Sequence, residues 1–160
     1  MPKAHRLPVT LNDLVNRELS FMSPLFKTSQ VQIRTEFESS LPPVNADADQ
    51  LWQAILNLIR NALEAMPDGG TLTLRTMSTT DEVVLHLTDT GKGISEEDRL
   101  QIFRPFFTTK LVWTGLGLTL TQQIISEHGG RIECASVAGE GTTFSLALPL
   151  HAENSSGHES

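Results

Sequence analysis

Asn57, Asn61 and Glu64 stand at i, i+4 and i+7, a spacing that puts three polar side chains on one side of a helix, about 40° apart or less. Asparagine competes with the backbone for hydrogen bonds, so two of them inside a strongly apolar helix carry a local cost. A solvated helix face would explain them. So would a ligand face, on which amide oxygens coordinate a hard cation such as magnesium alongside phosphate oxygens. Arg60, one position before Asn61, either reaches a phosphate or sits in water.

Two glycine pairs follow. In Asp89-Thr90-Gly91-Lys92-Gly93-Ile94 a carboxylate ends an alternating apolar segment and two glycines occupy the turn. Glycines let a ligand approach the backbone closely, and a carboxylate there suits an exocyclic amine such as that of adenine better than a phosphate. An ordinary Asp-Gly turn is the competing explanation. The second pair, in Thr114-Gly115-Leu116-Gly117-Leu118, opens a helical pattern. Backbone amides at a helix N-terminus are an anion site, which suits di- or triphosphate oxygens, although a flexible joint would also use these glycines. The chain has neither a P-loop nor a complete G-x-G-x-x-G dinucleotide fingerprint. Between the pairs lies Phe103-Arg-Pro-Phe106-Phe107-Thr-Thr109-Lys110, three aromatics in five positions. Core packing accounts for Phe103 and is open to Phe106 as well. Aromatics on a loop ending in lysine also suit a lid that closes over a nucleotide.

The elements that must position these residues follow from periodicity. Leu11, Leu14, Val15, Leu19, Met22 and Phe26 recur every three to four positions, which predicts a helix of about four turns, capped by Thr10 with Asp13 three residues on. Val31, Ile33, Thr35 and Phe37 alternate as a half-buried strand closed by Leu41-Pro42-Pro43, and a second helix is expected over 47–66 with Leu51, Ile55, Leu58, Ala62 and Ala65 as its apolar stripe. Residues 71–89 read as an antiparallel hairpin, 96–103 as a short helix, 104–114 as a mobile loop and 115–128 as a helix stopped by Gly129-Gly130. Strands over 132–137 and 143–148 finish the pattern. This order predicts an α+β fold, a mixed and mainly antiparallel sheet with helices on one face, and disfavours a doubly wound parallel sheet.

The chain has 160 residues, 39% of them apolar, enough for one sizeable core at roughly the 150-residue size of a single domain. Twelve basic against 19 acidic residues give a net charge of −7, which argues against nucleic-acid binding and against a polybasic membrane surface. Cys134 is the one cysteine, which excludes an intramolecular disulfide and a multi-cysteine metal site and points to a reducing, cytoplasmic setting. No apolar run reaches the ~18 residues of a membrane span.

In order, these four segments resemble the N, G1, F and G2 boxes of the ATP-binding domain of bacterial sensor histidine kinases, in the gyrase, Hsp90, histidine kinase and MutL superfamily. The resemblance covers about residues 10–150, and four ordered motifs are far more specific than one. Asn57-Leu-Ile-Arg-Asn61-Ala-Leu-Glu-Ala-Met66 and Phe103-Arg-Pro-Phe-Phe-Thr-Thr-Lys110 look most like the nitrogen-regulation and oxygen-sensing branch, and His128-Gly-Gly-Arg-Ile and Gly139-Glu-Gly-Thr-Thr-Phe144 fit as well. The resemblance implies a two-layer sandwich that binds Mg-ATP between a helix and a lid. By the same resemblance Asn61 coordinates magnesium, Asn57 lies beside the phosphates and Asp89 takes the adenine amine. Gly91 and Gly93 shape the base pocket, Lys110, Gly115 and Gly117 hold phosphates, and Phe106 and Phe107 pack the lid base. Arg60, Ile94, Thr109, Leu116, Leu118 and Thr142 complete the implied ATP-binding set. The implied partners are a histidine-bearing dimerisation domain, with a homodimeric full-length protein, and the receiver domain of a response regulator.

Two departures stand out. Trp113 occupies a lid position where the family has glycine, and it cannot freely adopt positive φ. His5 is followed by Arg-Leu-Pro rather than by an acidic residue, so no phosphoacceptor motif is present. Residues 1–8 are accordingly expected to be a linker remnant from an upstream helical hairpin, 9–150 the ATP-binding domain and 151–160 a disordered tail, with the isolated domain inactive for autophosphorylation. The alternatives are a lid-blocked regulatory module and an anti-sigma-factor-like serine kinase.

Overall fold

The computed structural model describes residues 6–94, 96–99 and 117–150. Its elements are β1 (Leu7–Val9), α1 (Leu11–Ser29), β2 (Val31–Glu36), β3 (Val44–Ala46), α2 (Ala48–Glu64), β4 (Gly70–Ser78), β5 (Glu82–Asp89), α3 (Glu96–Arg99), α4 (Gly117–Glu127), β6 (Arg131–Val137) and β7 (Gly141–Pro149). Five strands form one sheet in the order β2-β4-β5-β7-β6. The β2–β4 pair is parallel and the other pairs are antiparallel, as the element order predicts.

The sheet is two-faced. Along β5, Val83, Leu85, Leu87 and Asp89 are buried and the residues between them are half-buried, the period of a strand with one face against a core. On the other face polar side chains pair across strands, His86 Nδ1 with Ser145 Oγ at 2.8 Å and Thr88 with Thr143 at 2.9 Å. The covered face meets α2, whose Leu51, Ala54, Ile55, Leu58, Ile59 and Ala62 are buried. Each fully buried Leu or Ile contributes roughly 1.5–3 kcal/mol, so this stripe anchors the helix firmly enough to carry polar residues beside it.

Three local expectations are corrected. Helix α1 spans 19 residues rather than about four turns and ends at Gln30 in the left-handed conformation (φ 60°), with Pro24 inside it. Thr10 stands at its N-cap, but its side chain makes no capping bond; its carbonyl accepts the Asp13 and Leu14 amides instead. Strands β1 and β3 pair antiparallel, Leu7 opposite Ala46, so regular structure begins before the boundary expected near Val9. Three-residue strands show too little alternation to be read, and Pro8 within one of them reads as a breaker although a sheet edge tolerates it. Among the described residues no helix is long and apolar enough to cross a membrane.

Candidate functional site

Asn57 and Asn61 are buried, at 5% and 3% exposure, while Glu64 one turn on is exposed. The pair is therefore not part of a solvated face. Asn57 Nδ2 donates to Thr121 Oγ1 of α4 at 3.3 Å, and Gln53 Nε2 donates to Asn57 Oδ1 at 3.1 Å. Thr121 is fully buried and also donates to the Ala54 carbonyl at 3.5 Å. Asn57 is thus held by the neighbouring helix and helps to fix α4 on α2.

The glycine loop after β5 is stapled on both sides. Lys92 N–H donates to the Ala65 carbonyl at 3.2 Å and the Lys92 carbonyl accepts Gly139 N–H at 2.5 Å. Ala65 N–H in turn donates to the Asn61 carbonyl at 3.1 Å, so the loop lies one helical turn from Asn61. A Cβ on Gly91 would come within 2.3 Å of the Ala65 carbonyl oxygen, and one on Gly93, at φ +73°, within 2.1 Å of the Val137 carbonyl oxygen. No side chain fits either position. Ile94 N–H donates to Ser136 Oγ at 2.6 Å. The Ser136 hydroxyl donates to the Gly141 carbonyl at 3.0 Å and accepts from Thr142 Oγ1 at 2.8 Å.

Asp89 closes this unit. It is 3% exposed, lies opposite Thr142 in the β5–β7 ladder, and its Oδ1 accepts Gly91 N–H at 2.8 Å. Burial pushes its carboxyl up from 3.8 to about 6, against hydrogen bonds from the Gly91 and Thr142 backbones that pull it down. A carboxylate offers about four lone-pair sites, so acceptor capacity remains for a ligand amine. Ile94, Leu118 and Thr142 are buried as well, at 2%, 2% and 4%.

Other expected positions fall elsewhere. Arg60 and Glu64 line a cavity of about 430 Å³ with Leu25, Ser29, Leu63 and Pro67, on the flank of α2 that meets α1. Phe106, Phe107, Thr109, Lys110, Trp113, Gly115 and Leu116 lie outside the described residues, as do the expected tail and the end of the short helix; Gly117 begins α4. Among the described residues no group of three or more His, Cys, Asp or Glu could hold a metal ion. The Asn61 side chain offers an amide oxygen, the hard donor type that magnesium prefers, and magnesium takes few protein ligands. Thr121 and Ser136 were not readable as site residues, although Thr121 interrupts the apolar 118-125 stripe of its helix and that polar break was the available signal.

Comparison with known proteins places this geometry. Residues 46–152 match the family model described as histidine kinase-, DNA gyrase B-, and HSP90-like ATPase. The sensor histidine kinase ZraS of Escherichia coli K12 is 39% identical over 143 residues, 89% of this chain and 31% of ZraS. The signal transduction histidine-protein kinase AtoS of the same organism is 39% identical over 144 residues, 89% of this chain and 24% of AtoS. The chain spans about a third or less of the length of these relatives. Among solved structures, the nucleotide-free catalytic domain of histidine kinase ThkA superposes with a TM-score of 0.83 at 29% identity, over 92% of this chain and 99% of that one. Full-length ShkA in complex with AMPPNP superposes with a TM-score of 0.84 at 27% identity, over 93% of this chain and 32% of that one.

Proposed function

Since this chain belongs to the family of histidine kinase-, DNA gyrase B-, and HSP90-like ATPases, as an ATP-binding catalytic domain of the sensor histidine kinase kind, we propose that it donates the γ-phosphoryl group of Mg-ATP to a histidine carried on a separate dimerisation domain. The observation that carries this reading is the joint between Asp89, the Gly91–Gly93 loop and the end of α2, which sets a buried amine acceptor and a tightly packed loop one helical turn from Asn61.

In this reading Asp89 accepts the exocyclic amine of adenine, and the close packing of Gly91 and Gly93 on the Ala65 and Val137 carbonyls fixes the loop beside it. Ile94, Leu118 and Thr142 wall the pocket. By the family resemblance Lys110 and the amides of Gly115 and Gly117 hold the phosphates, and Thr109, Leu116, Phe106 and Phe107 belong to the same binding set. Magnesium, when bound, neutralises phosphate charge. The protein's part is positioning and electrostatics, since phosphoryl transfer asks little covalent chemistry of it. Asn57 carries an amide and cannot act as a general base, which supports transfer to an external histidine over hydrolysis by water. The ShkA–AMPPNP structure supports the ligand class, and the complex of ThkA with the response regulator TrrA, a TM-score of 0.80 away, supports a receiver domain as a downstream partner. A cytoplasmic setting and a homodimeric whole protein belong to the same proposal.

The test supplies the chain with magnesium, γ-labelled ATP and a purified histidine-bearing helical hairpin domain. Acid-labile label on the hairpin and none on the chain alone is expected. Demonstrated ATP binding with no label on any histidine acceptor contradicts the transfer.

A further inference from the structure

The N-cap of α2 makes an unusual choice of partner. Asp47 caps the helix, its Oδ1 accepting Gln50 N–H at 3.1 Å. In a capping box the residue at Gln50's position returns the bond by taking the N-cap's own N–H. Here Gln50 Oε1 is buried and has no hydrogen-bond partner. The Asp47 N–H instead donates to His128 Nε2, 81 residues on, at 3.0 Å. His128 is 4% exposed, and its Nδ1 lies 2.8 Å from the Ile124 carbonyl oxygen, which fixes the Nδ1–H tautomer and leaves Nε2 as the acceptor.

His128 is also the end of α4. Gly130 N–H donates to the Ile125 carbonyl and Gly129 N–H to the Ser126 carbonyl, both at 2.9 Å, with Gly129 at φ +77°; this is a Schellman closure with His128 at its C-cap. Arg6 adds a hydrogen bond to the Glu127 carbonyl. Thr121, seven residues before His128, bonds Asn57, and a seven-residue step returns to the same helix face. The helix α4 is therefore pinned to α2 at two points, one near its middle and one at its end, and an 11-residue helix is a rod of about 16 Å. Two pins fix both its rotation and its axial position, and so fix where its first turn lies relative to Asn61.

We infer that His128 is a positioning residue for phosphate binding: by displacing Gln50 from the α2 cap it holds α4 in the register that presents the helix's first turn to the phosphates. This rests on the nucleotide reading above. It also separates from a general structural role, because the cap bond from Gln50 N–H to Asp47 Oδ1 does not involve His128, and Gln50 holds the capping-box position whose side chain can accept the Asp47 N–H, so that the cap survives while the inter-helix pin is lost.

The experiment measures binding of Mg-AMPPNP by calorimetry and of adenosine by NMR titration, in the full 160-residue chain and its variants. His128→Ala should weaken AMPPNP about tenfold, the scale of one lost buried hydrogen bond, and change adenosine less than about twofold, since the base end is held by Asp89 on the sheet. His128→Gln, whose Oε1 can accept from Asp47, should restore most of the AMPPNP affinity. The double variant H128A/Q50A should melt well below H128A, because the Asp47 N–H then loses both the His128 and the Gln50 side-chain acceptors. Equal weakening of both ligands, or unchanged AMPPNP binding, overturns the inference. If H128A does not fold, Thr121→Val removes the other pin and must show the same selective loss. A wild-type chain that binds neither ligand overturns the nucleotide reading itself, a result distinct from wild-type binding that the His128 variants leave untouched.

Discussion

The Oδ1 atom of Asp89 accepts the Gly91 N–H at 2.8 Å, so the carboxylate that ends β5 organises the glycine loop that follows it. The same side chain would both shape the pocket and read the base. Asparagine can keep the first task, since its amide oxygen still accepts from Gly91, but turns a donor toward the adenine amine in place of an acceptor. Asp89→Asn is therefore expected to lose roughly 1.5–3 kcal/mol of adenine-nucleotide binding with little change in melting temperature. Calorimetric titration beside a thermal melt separates the two, and unchanged affinity would count against the pose.

Nucleotide affinity should also depend on pH through Asp89. Its carboxyl is pushed up to about 6 by burial, and the adenine amine needs the ionised form. Affinity should be flat above pH 7 and fall as pH drops through about 6, toward tenfold per unit, whereas Asp89→Asn should show no such fall. The sign for stability is opposite. Because the folded value exceeds 3.8, the buried charge costs stability as pH rises from about 4 to 6.

Gly93 sits at φ +73° with a would-be Cβ 2.1 Å from the Val137 carbonyl oxygen. Gly93→Ala should destabilise the fold by roughly 1–3 kcal/mol and open the staple between the loop and the β6–β7 turn. Denaturant unfolding reads the first effect. A midpoint equal to the wild type's would show that the loop relaxes freely.

Glu18 is a liability in the core. It is 0% exposed, neither carboxylate oxygen has a hydrogen-bond partner, and burial raises its carboxyl from 4.5 to about 8. The folded chain holds a proton there that the unfolded chain releases, so the penalty is absent below about pH 4.5 and grows as pH rises toward 8, reaching roughly 3 kcal/mol at pH 7. Glu18→Met, similar in volume and apolar, should raise the melting temperature at pH 7 and flatten its decline between pH 5 and 8. An unchanged slope would mean another group carries the proton.

The legible part of this molecule was what repeats. Leu72, Leu74 and Leu85, Leu87 alternate, Leu51, Ile55 and Leu58 recur at helical spacing, and both patterns survive in the structure as the buried faces of β4, β5 and α2. The Asp89 loop was legible too, because glycine and a strand-end carboxylate are chemically conspicuous. Contacts that join distant segments were not. Nothing in the spacing of His128 and Asp47 says that an imidazole would accept the Asp47 N–H while Gln50 Oε1 has no partner, and the bond that ties Asn57 to α4 reaches across 64 residues. Strands β1 and β3 exist through their pairing with each other, Val9 opposite Val44, which no three-residue window can display.

The central claim is that Asn61, Asp89 and the glycine loop form a magnesium-assisted adenine-nucleotide site. The most direct measurement is calorimetric titration of the chain with ADP and with AMPPNP, each with and without magnesium. Binding of both nucleotides, tightened by magnesium and abolished or strongly weakened in Asp89→Asn, is the predicted result. No heat up to millimolar nucleotide under either condition, from a chain that melts cooperatively, would contradict it.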